Sequence, residues 1–474
     1  MSEQSDDRVV RCSWFRGERL PQNSSKKLMR IPGVFYGGGC SYMACRGLLM
    51  GPIHDVLLIT HGPVGCGFFS GINGRDGKAG ENRSSFAGRC FSTDLREKDI
   101  VFGGEDKLYE AIYEAAKRFA PAAIAVCATC PVGLIGDDVE AVTRRAESEL
   151  EIPVLALRCE GFRDEPGWLT GGREVVSSWS GRSLGKVGDF PIHYMSESYW
   201  GDNQVVMERL FGLLGYDVVC SLMGSTTFER IQRCHEARLV VLDSNKAIDA
   251  VPELLSKKYG CGWMRATFTG LAETIHSLRG MAAFFDDNTH SVRTEKVIES
   301  ELERIKPEFD RYKERFSGLR AALFEDIFRS DAYAALLSDL QVEVILISQD
   351  YSAKEVKDDS FFLHVSLALC RVLDLASVGL APESDDGCRA FFLLTRDEVR
   401  SFLDLASPDV CFAGIEEEFG HKASRIRSEQ FTSEERGVQY AGFDGLIRFA
   451  SDLAMAECMS HWQIEPPIWE THRS

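Results

Sequence analysis

No apolar run in the chain reaches the ~20 residues a helix needs to cross a bilayer. The polar, acidic stretch from Met1 to Arg11 has no signal-peptide core, so a cytoplasmic protein is expected. Positive charge is scarce: Lys plus Arg number 54 against 72 Asp plus Glu, a net charge of −18. Such a surface repels phosphate backbones, which removes DNA and RNA from the expected partners. Repeats, low-complexity tracts and long flexible linkers are missing. No G-x-x-x-x-G-K-[ST] loop occurs, so any ATP use is expected on a partner. No hydrolase nucleophile elbow is expected either.

Thiols and buried apolar segments are plentiful. Fifteen cysteines are many for a reducing compartment, where disulfides are disfavoured and metal or redox roles gain weight. Many of them are equally read as small core hydrophobes. Hydrophobic residues make up 44% of 474 residues, enough for several cores. Buried strands are predicted at Pro121–Cys127, Pro153–Leu157, Tyr216–Leu222, Ala237–Leu242, Val342–Ser348, Arg389–Leu394 and Val410–Gly414. Helices are predicted at Lys107–Phe119, with Leu108, Ile112, Ala115 and Phe119 on one side, and at Val205–Leu214, Leu271–Phe285, Glu295–Phe316 and Phe443–Cys458. The βα alternation recurs in three blocks, which predicts an α/β fold of three doubly wound, Rossmann-like parallel-sheet domains. The expected divisions are 1–190, 191–316 and 317–474. Ligands in such folds gather beyond the carboxyl ends of strands.

Three cysteines stand apart by context. Cys40 follows Gly37-Gly38-Gly39, Cys66 lies in His61-Gly62-Pro63-Val64-Gly65-Cys66-Gly67, and Cys130 opens Cys130-Pro131-Val132-Gly133. Each turn contains Gly or Pro, where backbone can approach a bulky ligand. Thiolates are the usual ligands of iron–sulfur clusters, and three is an odd number for a self-contained one. Composition alone favours three unrelated turn cysteines. Cys127-Ala128-Thr129-Cys130 is a C-x-x-C pair with no second pair to complete a zinc site, and core packing is the better reading of Cys127. Gly65-Cys66-Gly67 with Gly71 imitates a dinucleotide fingerprint at the wrong spacing, and no suitable preceding strand is predicted.

These stretches resemble the alpha subunit of nitrogenase molybdenum–iron protein. The resemblance includes Gly39-Cys40-Ser41-Tyr42, Gly51-Pro52-Ile53, His61 to Gly67, Thr93 to Gly104, Cys130 to Asp138 and Arg158 to Arg163. It continues more weakly through Lys258-Tyr259-Gly260 to Tyr440–Gly445. It implies that Cys40, Cys66 and Cys130 hold a P-cluster-type iron–sulfur cluster (8Fe-7S), shared with a beta-like (K-type) subunit in an α2β2 heterotetramer. It also implies transient docking of an ATP-hydrolysing iron protein on Thr93 to Gly104, with Glu97, Lys98 and Asp99 as contacts. A solvated helix start is an equal reading of those three.

Departures from the family pattern are as informative. The cofactor-ligating cysteine corresponds to Ser244 and the ligating histidine to about Thr432. The histidine of substrate reduction falls near Gly171 and a glutamine near Gly167, while a lysine beside the organic acid corresponds to about Glu416. The resemblance therefore implies a nitrogenase-like reductase without nitrogenase's own cofactor ligands. Among such proteins the methylthio-alkane reductases look most similar, which implies C–S bond cleavage. A second iron–sulfur cluster without homocitrate is expected, with Cys220, Cys261 and His421 as candidate ligands; ordinary packing or a surface position is the commoner reading of each. Two other family roles stand as alternatives: a cofactor-assembly scaffold, and a tetrapyrrole-type reductase subunit.

Overall fold

The computed structural model describes residues 13–14, 40–67, 89–160, 167–196, 201–243, 249–324, 327–348, 390–391, 408–413, 424–427 and 440–459. Three four-stranded sheets organise them, and every strand pair within these sheets is parallel. The first sheet runs Cys90–Ser92, Val56–His61, Ala123–Ala128, Val154–Arg158 across its width. The second runs Tyr216–Cys220, Phe190–Ser196, Leu239–Asp243, Gly262–Arg265. The third runs Glu343–Ser348, Arg320–Phe324, Val410–Ala413, Ser424–Arg427. In chain order all three read 2-1-3-4, so each reverses direction between its first and third strands. That reversal opens a crevice at the carboxyl ends, the usual ligand position in doubly wound sheets.

The central strands form because both of their faces are covered. All six residues of Val56–His61 and of Ala123–Ala128 are buried. Along the latter, Ala123, Ala125 and Cys127 enter one core while Ile124, Val126 and Ala128 enter the core on the opposite face. Helix Glu105–Phe119 covers that second face through Leu108, Ile112, Ala115 and Ala116. Its acidic first turn (Glu105, Asp106) and basic last turn (Lys117, Arg118) suit the helix dipole. Phe119, expected to be buried, is instead 46% exposed at the end of the helix and stacks on Phe91 at 4.9 Å.

Helix Asn288–Phe316 joins the second and third blocks. Its buried Glu301 receives both Nη atoms of Arg209 at 2.8 and 2.5 Å, and Arg304 at 2.6 Å. Arg209 also reaches Asp444 at 2.9 Å, tying helix Gly442–Met459 to the same node. Two cations on one buried carboxylate hold it below the usual range against the opposing effect of burial.

One expected strand departs from the pattern. Of Arg389–Leu394, residues Ala390–Phe391 pair antiparallel with Ser13–Trp14, outside the third sheet. The fourth position of that sheet is filled by Ser424–Arg427, whose alternating polar residues do not read as a buried strand. Among the described residues, no helix is long and apolar enough to cross a membrane.

Candidate metal centre at the first sheet's switch point

Cys66 and Cys130 follow the two strands between which the first sheet reverses. The chain leaves Val56–His61 through Gly62 and Pro63 into a helical turn carrying Cys66. It leaves Ala123–Ala128 through Thr129 into helix Cys130–Ile135. The sequence reading of Gly65-Cys66-Gly67 missed the strand before it, since Val56–His61 enters that turn directly; its spacing still differs from a dinucleotide loop.

The two turns are stitched together by the backbone. Thr129 donates its N–H and its hydroxyl to the His61 carbonyl, at 3.1 and 2.9 Å. A Cβ on Gly62 would meet Thr129 Oγ1 at 2.0 Å, so glycine is what lets the turns approach. His61 is fully buried between Thr93 Oγ1 (3.1 Å from Nδ1) and Asp137 Oδ2 (3.1 Å from Nε2). Burial lowers its pKa, with Asp137 opposing, so at neutral pH the ring is uncharged with the proton on Nε2 facing the carboxylate. Asp137 also accepts from the Gly104 N–H at 3.1 Å, where a Cβ would meet both Asp137 and His61. This network braces both cysteine turns against the loop that opens helix Glu105–Phe119.

Cys40 precedes the short helix Ser41–Ala44 and is exposed; Cys66 and Cys130 are half-buried. Burial pushes the Cys66 thiol up, and the neighbouring Cys40 and Cys130 thiols push it further. Three thiols from separate segments thus share one electrostatic neighbourhood at the molecular surface. Mutual repulsion of their thiolates is what a cationic iron–sulfur centre relieves, so the donor set fits such a group, and the open side leaves room for ligands from another chain.

Other expected positions divide. Asp99 is buried and accepts from Lys107 Nζ at 2.7 Å and from the Arg96 N–H at 2.9 Å, which holds its carboxyl below the usual range. It secures helix Glu97–Phe102 internally, whereas Glu97 and Lys98 face outward. Cys220 and Cys261 sit in the apolar core; burial pushes the Cys220 thiol up to about 12 and raises Cys261 as well. Gly171 lies in helix Gly167–Trp179, where a Cβ would meet Leu49 Cδ2 at 2.9 Å and Cys45 Sγ at 3.0 Å. Ser244, Glu416, His421 and Thr432 lie outside the described residues. Gly181-Arg182-Ser183-Leu184-Gly185 does fit the letters of a nucleophile elbow, but it links a helix to the strand Phe190–Ser196 rather than a strand to a helix, with Ser183 only partly exposed and Leu184 in the open.

Sequence reasoning missed a second thiol group. Cys45, Cys127 and Cys159 are all fully buried, with their sulfurs within 4.8 Å of one another. Cys127 and Cys130 of the C-x-x-C pair therefore belong to different groups. Cys127 was legible as a core residue, but nothing in the spacing of Cys45 and Cys159 linked them to it.

A family of nitrogenase component 1 type oxidoreductases matches residues 40–457. The chain is 32% identical over 477 residues to the nitrogenase molybdenum-iron protein alpha chain of Clostridium pasteurianum, covering 93% of this chain and 89% of that one. It is 30% identical over 460 residues to the nitrogenase iron-molybdenum cofactor biosynthesis protein NifE of Methanococcus maripaludis, covering 93% and 86%. A solved structure described as nitrogenase Cp1 at pH 5 superposes with a TM-score of 0.75 at 32% identity, covering 93% of this chain and 92% of the other. With likeness of sequence and of fold running through nearly the whole chain, it belongs to the nitrogenase component 1 type oxidoreductases.

Proposed function

We propose that the chain is the catalytic alpha-type subunit of a cytoplasmic, nitrogenase-like two-component reductase. In this reading Cys40, Cys66 and Cys130 hold a P-cluster-type centre together with a beta-like subunit. When bound, that group supplies one-electron chemistry at very low potential. This chain's residues orient it: Thr129 and Gly62 set the approach of the two turns, and neutral His61 locks them through Asp137. The single observation that carries the reading is this convergence of three partly exposed thiols at the first sheet's switch point.

An iron protein that hydrolyses ATP is the proposed electron donor. Beside the cysteine turns, Val64, Val101, Phe102 and Leu134 are 58%, 71%, 87% and 76% exposed, next to outward-facing Glu97 and Lys98. Large apolar side chains rimmed by charge are typical of a docking face.

The proposed reaction is reductive cleavage of a C–S bond in a methylthio-alkane, with an electron pair and protons releasing a thiol and a hydrocarbon. Support comes from retention of the entry cysteines alongside loss of nitrogenase's histidine position. At Gly171 the helix packs directly on Leu49 and Cys45, so any side chain there must displace one of them. A second iron–sulfur cluster, lacking homocitrate, is proposed for the crevice of the second sheet. There Tyr194 and Ser196 both donate to Asp243, the residue just before Ser244. A strain lacking this chain should fail to grow on methylthio-ethanol as sole sulfur source while fixing nitrogen normally, if it fixes nitrogen at all. Normal growth on methylthio-ethanol would remove the assignment.

A second reading, a cofactor-assembly scaffold, is favoured by the 30% identity to NifE over 93% of the chain. It predicts that deletion abolishes maturation of another component 1 enzyme, and that the purified complex reduces no thioether.

A further inference from the structure

The thiols of Cys45, Cys127 and Cys159 come from three places that the fold forces together. Cys127 is the penultimate residue of the strand Ala123–Ala128 and lies beside Leu157 of the neighbouring strand. Cys159, two residues beyond Leu157, falls on the same face by the alternation of side chains. Cys45 begins the helical turn Cys45–Met50 that packs across that face. All three are fully buried, and their sulfurs lie within 4.8 Å of one another.

A core needs no such arrangement. Alanine or valine would fill the space without a polarisable, ionisable atom at the centre. That limit admits a small ion: with metal–sulfur bonds of about 2.3 Å, trigonal or tetrahedral ligands sit roughly 3.8–4.0 Å apart. Among the described residues no carboxylate or imidazole joins the three sulfurs, and such a soft donor set selects soft d10 cations over magnesium, calcium or manganese. Arg46, 2% exposed and bonded through Nε to Cys90 Sγ at 3.2 Å, places a buried positive charge near Cys127. Three thiolates, one guanidinium and one divalent cation sum to zero, the condition a fully buried charged site needs. Glu174, partly exposed in helix Gly167–Trp179, is the acidic group near Cys45.

We propose that Cys45, Cys127 and Cys159 form a structural site for one divalent d10 cation of the zinc(II) class, separate from the surface thiols Cys40, Cys66 and Cys130. Its role is to clamp Cys45–Met50 and the segment after Val154–Arg158 onto the first sheet, directly beneath the turns that carry the surface thiols.

The test is elemental analysis of the complex, purified without oxygen, as the full chain with its native partners. The wild type should carry roughly one equivalent of zinc per chain beyond its iron, and Zn(II) added after mild chelation should restore it. Cys45→Ser and Cys159→Ser, near-isosteric changes, should each lose that zinc and keep their iron. Cys66→Ala should do the reverse, keeping zinc and losing iron, so failure of the surface-cluster reading is distinguishable. The proposal is overturned if Cys45→Ser retains wild-type zinc, if it loses iron and zinc together, or if only Cu(I) is taken up. Should the serine variants not fold, a wild-type complex that carries no zinc and takes up none overturns it as well.

Discussion

A Cβ on Gly62 would lie 2.0 Å from Oγ1 of Thr129, closer than any real contact, so the two turns that present Cys66 and Cys130 approach only because residue 62 is glycine. Gly62→Ala must push Thr129 aside and break its bonds to the His61 carbonyl. Overpacking of this kind costs about 1–3 kcal/mol. We predict a lower unfolding midpoint and reduced iron in Gly62→Ala. Gly212→Ala, in helix Gly201–Leu214 with nothing within 4 Å of the new methyl, is the control. It should be neutral or stabilised by roughly 0.5–1 kcal/mol. Equal midpoints for the two variants would contradict this packing argument.

A histidine introduced at residue 171 should not create nitrogenase chemistry. A Cβ there already meets Leu49 and Cys45 at 2.9 and 3.0 Å. Gly171→His is predicted to destabilise the chain by about 1–3 kcal/mol, measured by thermal unfolding, with no gain in dinitrogen reduction. A stable variant with new ammonia production would show that the helix is free to shift.

The wild-type complex with its own iron protein is predicted to form negligible ammonia from dinitrogen. Rates comparable to a nitrogenase, in an assay where the same preparation cleaves no thioether, would replace the proposed reaction by nitrogen fixation.

His193 gives a pH prediction. Its ring is fully buried and accepts the Leu222 N–H at 3.1 Å, and burial lowers its pKa to about 3. The unfolded value is about 6.5, so between the two the unfolded chain binds the extra proton. His193 therefore adds no pH dependence above pH ~6.5, and stability falls as pH drops below it, by at most about 1.4 kcal/mol per unit. His193→Gln keeps an acceptor but does not titrate. Its midpoint should fall less than that of the wild type between about pH 7 and pH 5. Parallel slopes would contradict the assignment.

How much of this was legible depends on what each segment buries. Ala123–Ala128 and Leu239–Asp243 are apolar almost throughout, so their strands were readable within one or two residues. Val56–His61 and Phe190–Ser196 were not, because Thr60, His61, His193 and Ser196 interrupt the pattern yet are buried. Partners far along the chain take up the hydroxyls, Tyr42 for Thr60 and Asp243 for Ser196, which local periodicity cannot register. The three surface cysteines were visible because glycine and proline mark the turns that hold them. Cys45 and Cys159 carry no such mark, and only the folding of the sheet brings them to Cys127. Docking contact and solvated helix start are equal readings of Asp99 from sequence, and neither registers its bond to Lys107, eight residues away on the next helix.

The most direct measurement is the iron content and assembly state of Cys66→Ala beside the wild type, both purified without oxygen with the partner subunit. Loss of one thiolate leaves iron under-coordinated and removes a bond between the chains. Cys66→Ala should carry markedly less iron and show a larger fraction of dissociated chain, with the fold retained. Full iron in an intact complex would show that Cys66 ligates nothing, and with it the central claim for Cys40, Cys66 and Cys130 would fail.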